Sequence, residues 1–159
     1  MNWLQIILRF VHIGAGATWV GMMTFTTFFL APAMGDVGPE SGKIMAALTK
    51  RKLLTVMPLL AVLTIVSGLW LFARFSNMQP GVMNSPMGMT LGIGGAAAII
   101  AFVLGLVLVR PAMDKSAAAA QAGNMTESAK WRDRGSAVST WVARLLYLAL
   151  GAMAIARYV

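Results

Sequence analysis

The chain contains one histidine, His12, in the stretch HIGAGATWVG (12–21). Arg9 stands three residues before it and Trp19 seven after. Imidazole is a common protein ligand for metal ions, and haem iron and copper both accept it. A histidine in an apolar helix also serves to hydrogen-bond a neighbouring helix. Both readings stay open at this point. A second set of donors lies in SNMQPGVMNSPMGM, which carries Met78, Met83, Met87 and Met89. Thioethers are soft donors suited to Cu(I), and methionine is equally ordinary apolar filler. Thirteen methionines are spread through the chain, which favours the filler role for many of them.

Other chemistries are missing their residues. The chain has no cysteine, so it can form neither a disulfide nor a thiolate metal site. Asp36, Glu40, Asp114, Glu127 and Asp133 all lie between apolar runs, so a carboxylate proton relay across a membrane is not expected. No Ser/His/Asp set and no phosphate-binding loop is present. The GxG triplets at 14–16 and 92–94 lack the strand–turn–helix setting of a nucleotide fingerprint, and close helix packing explains them better.

The elements that position these residues follow from composition. Of 159 residues, 58% are hydrophobic and 11% charged, and the mean hydropathy is +0.75. A soluble domain has about 25% charged residues, so a bilayer is the expected solvent. A bilayer-spanning helix needs about 20 mostly apolar residues. Four runs qualify, at 4–31, 53–75, 88–110 and 138–157. The fold class is therefore all-α, a single transmembrane domain over 1–159 built as a four-helix bundle, with irregular connections at 35–52 and 111–137. The second connection is expected to hold two short helical pieces broken at Gly123-Asn124. Pro58 is expected to kink the second span. No internal repeat is evident. The start MNWLQ has no basic segment and the first apolar run is too long for a signal peptide, so a retained helix is expected.

The net charge of +8 comes from basic residues clustered in two connections. Lys43, Lys50, Arg51 and Lys52 lie in the first, and Lys115, Lys130, Arg132 and Arg134 in the last, with Arg110 at its edge. The 76–87 connection has none. By the positive-inside rule the basic connections are cytoplasmic, and both termini lie on the outer, periplasmic side. Nucleic acid is not an expected partner, because no basic–aromatic face accompanies the charge. The Asn124-Met125-Thr126 sequon falls on the inner side and carries no weight.

This topology brings Arg9, Arg74 and Arg157 to the outer level of the bundle, with His12 and Met153 one turn deeper. Trp3, Trp70 and Tyr158 mark the same interface. Arginines at helix ends commonly snorkel to headgroups. The sharper reading is a haem b site, with His12 as axial ligand and the arginines beside the propionates. One histidine leaves three arrangements: a five-coordinate iron, His12 paired with Met153, or two His12 residues across a homodimer. The alternatives are a copper-handling protein, in which the four methionines capture Cu(I) and His12 receives it, and an accessory subunit of a larger membrane complex.

RFVHIGAGATWVGMMTFTTFFLAPAM followed by VMPLLAVLTIVSGLWLF resembles the first two helices of small four-helix bacterial membrane proteins. These include the HemJ-type protoporphyrinogen oxidases and the copper-resistance D (CopD-like) domains. The likeness rests on a first-helix histidine, a Trp-x-Gly seven residues on and a later proline, and covers about half the chain. It implies haem binding at His12 in the first group, copper passage in the second, and residence in a bacterial inner membrane. The chain departs from the HemJ-type pattern at Pro32, which is followed by Ala33 where that group has a Pro-Arg pair.

Overall fold

The computed structural model describes residues 3–159, the Pro39 side chain excepted. Among these residues there is no strand. Four helices are long and apolar enough to cross a membrane: α1 (Trp3–Val37), α3 (Leu53–Ser76), α5 (Pro86–Gln121) and α6 (Met125–Tyr158). Two shorter ones, α2 (Ser41–Lys50) and α4 (Pro80–Met83), lie in the connections. An even number of alternating helices puts both termini and the 77–85 connection at one end of the bundle, called here the terminal end. The basic connections form the other, or basic, end.

Three spans are longer than their apolar runs predict. The segments 35–37 and 111–121 continue α1 and α5, and α6 begins at Met125 rather than near 138. The helical break at Gly123-Asn124 lies where expected, but its two arms are extensions of α5 and α6, not separate pieces. Composition explains why. SAAAAQA, 116–122, is rich in the strongest helix former. The arms also hold each other: Ser116 Oγ donates to Ser128 O and Ser128 Oγ to Ser116 O, both at 2.9 Å. Lys115 Nζ sits 4.2 Å above the Trp131 ring. Gly123 takes φ +76° to reverse the chain, and Asn124 caps α6 by accepting from the Glu127 amide at 3.1 Å. The result is a helical hairpin that prolongs the basic end.

The bundle is inside-out relative to a soluble protein. Its buried apolar residues are mostly alanines, such as Ala61, Ala97, Ala101 and Ala152, and Ala61 and Ala101 cluster with Trp19, Met23, Val142 and Leu146. Large side chains such as Phe10, Leu59, Val66 and Leu150 face outward. Lipid tails are as apolar as leucine, so small residues that let backbones approach drive helix association. Two intimate pairs result, α1 with α3 and α5 with α6, while α3 and α5 meet less closely.

The two halves share a device that the sequence reading missed. A π-helical turn occupies Thr26–Leu30 in α1 and Gly105–Val109 in α5. In each, an amide reaches back five residues, Ala31 to Thr26 and Arg110 to Gly105. A proline follows at once, in APAM (31–34) and RPAM (110–113). Proline lacks the amide and clashes with the carbonyl four residues back, and the wider turn absorbs that clash. The partner helices also correspond, with Gly68-x5-Arg74 in α3 and Gly151-x5-Arg157 in α6. The two hairpins thus share a π-helical turn before a proline and a Gly-x5-Arg spacing. Pro58, inside α3, leaves the Leu54 carbonyl without its helical donor.

Candidate functional site around His12

His12 is half-buried in α1 and turned toward α3. Its Nδ1 lies 2.9 Å from the Thr64 carbonyl oxygen and 3.4 Å from Ser67 Oγ. The hydroxyls on this face of α3 are spent on their own helix. Thr64 Oγ1 donates to Leu60 O at 2.7 Å, and Ser67 Oγ to Leu63 O at 2.5 Å. Nδ1 therefore faces two acceptors, and the arrangement is favourable only if Nδ1 carries the proton and donates. In the neutral ring Nε2 is then the nitrogen with the lone pair. Nε2 has no hydrogen-bond partner among the described residues, and the surrounding atoms do not enclose it.

Glycine makes this seat possible. A Cβ on Gly68 would lie 2.7 Å from His12 Cε1 and 3.1 Å from Nδ1. One on Gly16 would lie 3.2 Å from Thr64 Cγ2. Ordinary carbon contacts are about 3.5–4.0 Å, so the ring occupies the space a side chain at Gly68 would fill. The residue twenty positions before the proline is His12 in α1 and Leu91 in α5. A Cβ on Gly151, the counterpart of Gly68, meets nothing within 4 Å. Only the first hairpin builds the seat.

The other candidate residues are placed as follows. Arg74 lines a shallow recess at the terminal end with Leu4, Gln5, Leu8, Trp70 and Leu71. Arg9 is exposed on α1, and Arg157 lies over its neighbour Tyr158, 5.9 Å from the ring centre. Trp3, Trp70 and Tyr158 are exposed at this end, as an interfacial aromatic belt requires. Met153 packs against α5, where its Cε lies 3.4 Å from the position of a Cβ on Gly94, whereas His12 faces α3. Trp19 is not at the His12 level. It is buried two turns deeper in the central cluster with Met23 and Ala61.

The methionines of the terminal connection are spread over a turn and two helices. Met78 is exposed in the turn after α3, and Met83 ends α4. Met87 and Met89 are two residues apart on α5, a spacing that points side chains to different sides of a helix. No group of three or more His, Asp or Glu able to hold a metal occurs among the described residues.

Two positions carried no label in the sequence. Gly68 was legible only as a small residue in a span, and the Thr64 carbonyl, being backbone, has no signature at all. A threonine at position 27 in a membrane span is expected to bond to backbone or to a neighbouring helix. It is buried, yet its hydroxyl has no partner among the described residues. Its neighbour Thr26 Oγ1 bonds Met22 O and Met23 O, the second being the carbonyl four residues before Thr27.

Comparison with protein-family models, with curated proteins and with solved structures finds no match for this chain.

Proposed function

We propose that this is a multi-pass protein of the bacterial inner membrane that binds a b-type haem, with His12 Nε2 as the axial ligand. The observation that carries the reading is the Nδ1 contact to the Thr64 carbonyl. A ligating histidine typically donates its other ring nitrogen to such an acceptor, which fixes tautomer and ring orientation. His12 lies about 13 Å along α1 from Trp3, at a helical rise of about 1.5 Å per residue. At that depth an unpartnered acceptor nitrogen is costly, and a metal ion would satisfy it.

The positive-inside rule puts the basic end in the cytoplasm. His12 then sits in the outer half, with Arg9, Arg74 and Arg157 above it to pair with propionates. The recess beside Arg74 is too shallow to bury a porphyrin, so the group would lie against the outside of the α1–α3 pair. Met153 points to α5 instead, which favours a second copy of His12 as the other ligand across a homodimer. Bound haem would supply one-electron chemistry.

The test is the absorption spectrum of protein purified from its own membranes, oxidised and then reduced with dithionite. A Soret band with sharp reduced α and β bands is expected, with one haem per two chains and loss of both in His12→Ala. A featureless spectrum without iron, or full haem in His12→Ala, would overturn the reading.

A further inference from the structure

The basic half of the bundle opens where α3 and α5 diverge. A cleft with a cavity volume of about 120 Å³, open along one side, runs from Trp19 and Ala61 at its floor to Arg110 and Asp114 at its mouth. Apart from those last two residues its walls are apolar, and they include Met57, Phe102 and Val109. An apolar cavity of about 150 Å³ accommodates a benzene ring, so this cleft, of similar size and open along one side, admits a short stretch of hydrocarbon chain. Its geometry is irregular on both sides. Pro58 and Leu54, whose carbonyl Pro58 leaves without a helical donor, line one wall, and the π-helical turn that begins at Gly105 lines the other. Such turns recur at functional sites. A Cβ on Gly105 would meet nothing within 4 Å, so the cleft is vacant in front of it.

Charge at the mouth selects what enters. Arg110 is exposed and forms no ion pair among the described residues, even though Asp114 lies one turn away. Arg51 and Lys52 immediately precede α3, whose Leu54 lines the same cleft, and neither has an ion pair among the described residues. Arg110 and Asp114 thus form the polar mouth of an apolar slot, and Arg51 and Lys52 add positive charge to the same end of the bundle. That combination fits an amphiphile with one anionic head and a long chain.

We infer that the cleft between α3 and α5 binds an anionic phospholipid of the adjacent leaflet, with an acyl chain against Trp19 and the phosphate at Arg110. This site is at the opposite end of the molecule from His12 and does not depend on haem. The probe is a variant retaining only Trp19, with Trp3, Trp70, Trp131 and Trp141 changed to Phe. It is reconstituted in phosphatidylcholine vesicles containing a small fraction of chain-brominated phosphatidylglycerol or, separately, chain-brominated phosphatidylcholine. Bromine quenches indole only at contact. Because Trp19 is only 5% exposed, bulk lipid reaches it poorly. Brominated phosphatidylglycerol should be effective at about a fivefold lower mole fraction, the preference that one basic residue near an anionic head provides. Gly105→Leu should abolish the quenching, and Arg110→Gln should remove the preference. No quenching by either lipid would overturn the site, as would equal quenching by both. Should the four-Phe variant fail to fold, native mass spectrometry of the unaltered chain from mixed vesicles gives the same decision. A retained phosphatidylglycerol that Gly105→Leu loses supports the inference, and bare protein or an unselective lipid adduct defeats it.

Discussion

Gly68→Ala tests the seat of His12 directly. A methyl there would stand 2.7 Å from Cε1, about 1 Å inside ordinary carbon contact. The ring must retreat by roughly that distance, because the backbone on both sides is locked in the α1–α3 pair. The 2.9 Å contact from Nδ1 to Thr64 O then exceeds the range in which a hydrogen bond has much strength. Losing that bond costs about 1 kcal/mol, and overpacking costs about 1–3 kcal/mol. Against this, alanine gains up to about 1 kcal/mol over glycine inside a helix. The net expectation is a loss of about 1–3 kcal/mol and release of the ring from its fixed tautomer. Since the chain has one histidine, ¹⁵N-histidine labelling gives one imidazole signal pair that needs no assignment. The unaltered protein should show the proton on Nδ1, and Gly68→Ala a mixture or the reverse tautomer, with a lower midpoint of thermal unfolding. Gly151→Ala is the matched control: its Cβ meets nothing within 4 Å, so neither readout should fall. A proton on Nε2 in the unaltered protein would refute the tautomer argument, and an unchanged Gly68→Ala spectrum would refute the steric one.

Two more substitutions probe the frame. Thr27→Val replaces a buried hydroxyl that lacks a partner with a methyl of the same shape, so thermal unfolding in detergent should rise by the equivalent of about 1 kcal/mol; a fall would mean that the hydroxyl is satisfied. Gly88→Ala drives a methyl onto the Val82 carbonyl oxygen and to 2.6 Å from Met83 O, where rigid backbone cannot yield. It should cost at least about 3 kcal/mol or prevent accumulation of folded protein, and a midpoint within a degree of the parent would contradict the packing of α4 on α5.

The spans were legible because an apolar run of about 20 residues has few other fates. Their ends were less so. Apolarity reports where lipid ends, whereas the alanine-rich segment 116–121 and the Ser116–Ser128 exchange keep the helices going in water. The end of the bundle at which His12 sits was readable from the number and order of the spans. What it touches was not, because the acceptor is a carbonyl oxygen and the space is provided by the absence of a side chain at Gly68. The shared turn had no sequence signal, because two Pro-Ala-Met triplets, at 32–34 and 111–113, mean little until each is seen directly after a π-helical turn. The cleft had no sequence signal, since it arises from how far α3 and α5 separate rather than from any residue type.

The relation between the hairpins narrows what His12 does. If the histidine served only to fasten one helix to another, the second hairpin would face the same need, since it has the same proline device and the same Gly-x5-Arg ending. It meets that need without imidazole. Leu91 stands in the corresponding place, and α5 and α6 pack through Gly94 against Ala152 and Met153. Small residues therefore suffice to join a pair of helices in this fold, as they do in lipid generally. A polar ring in the first pair adds the burden of placing Nε2 at membrane depth without a partner, which packing alone gives no reason to accept. That excess is the reason to test a ligand at Nε2 ahead of a fastening role.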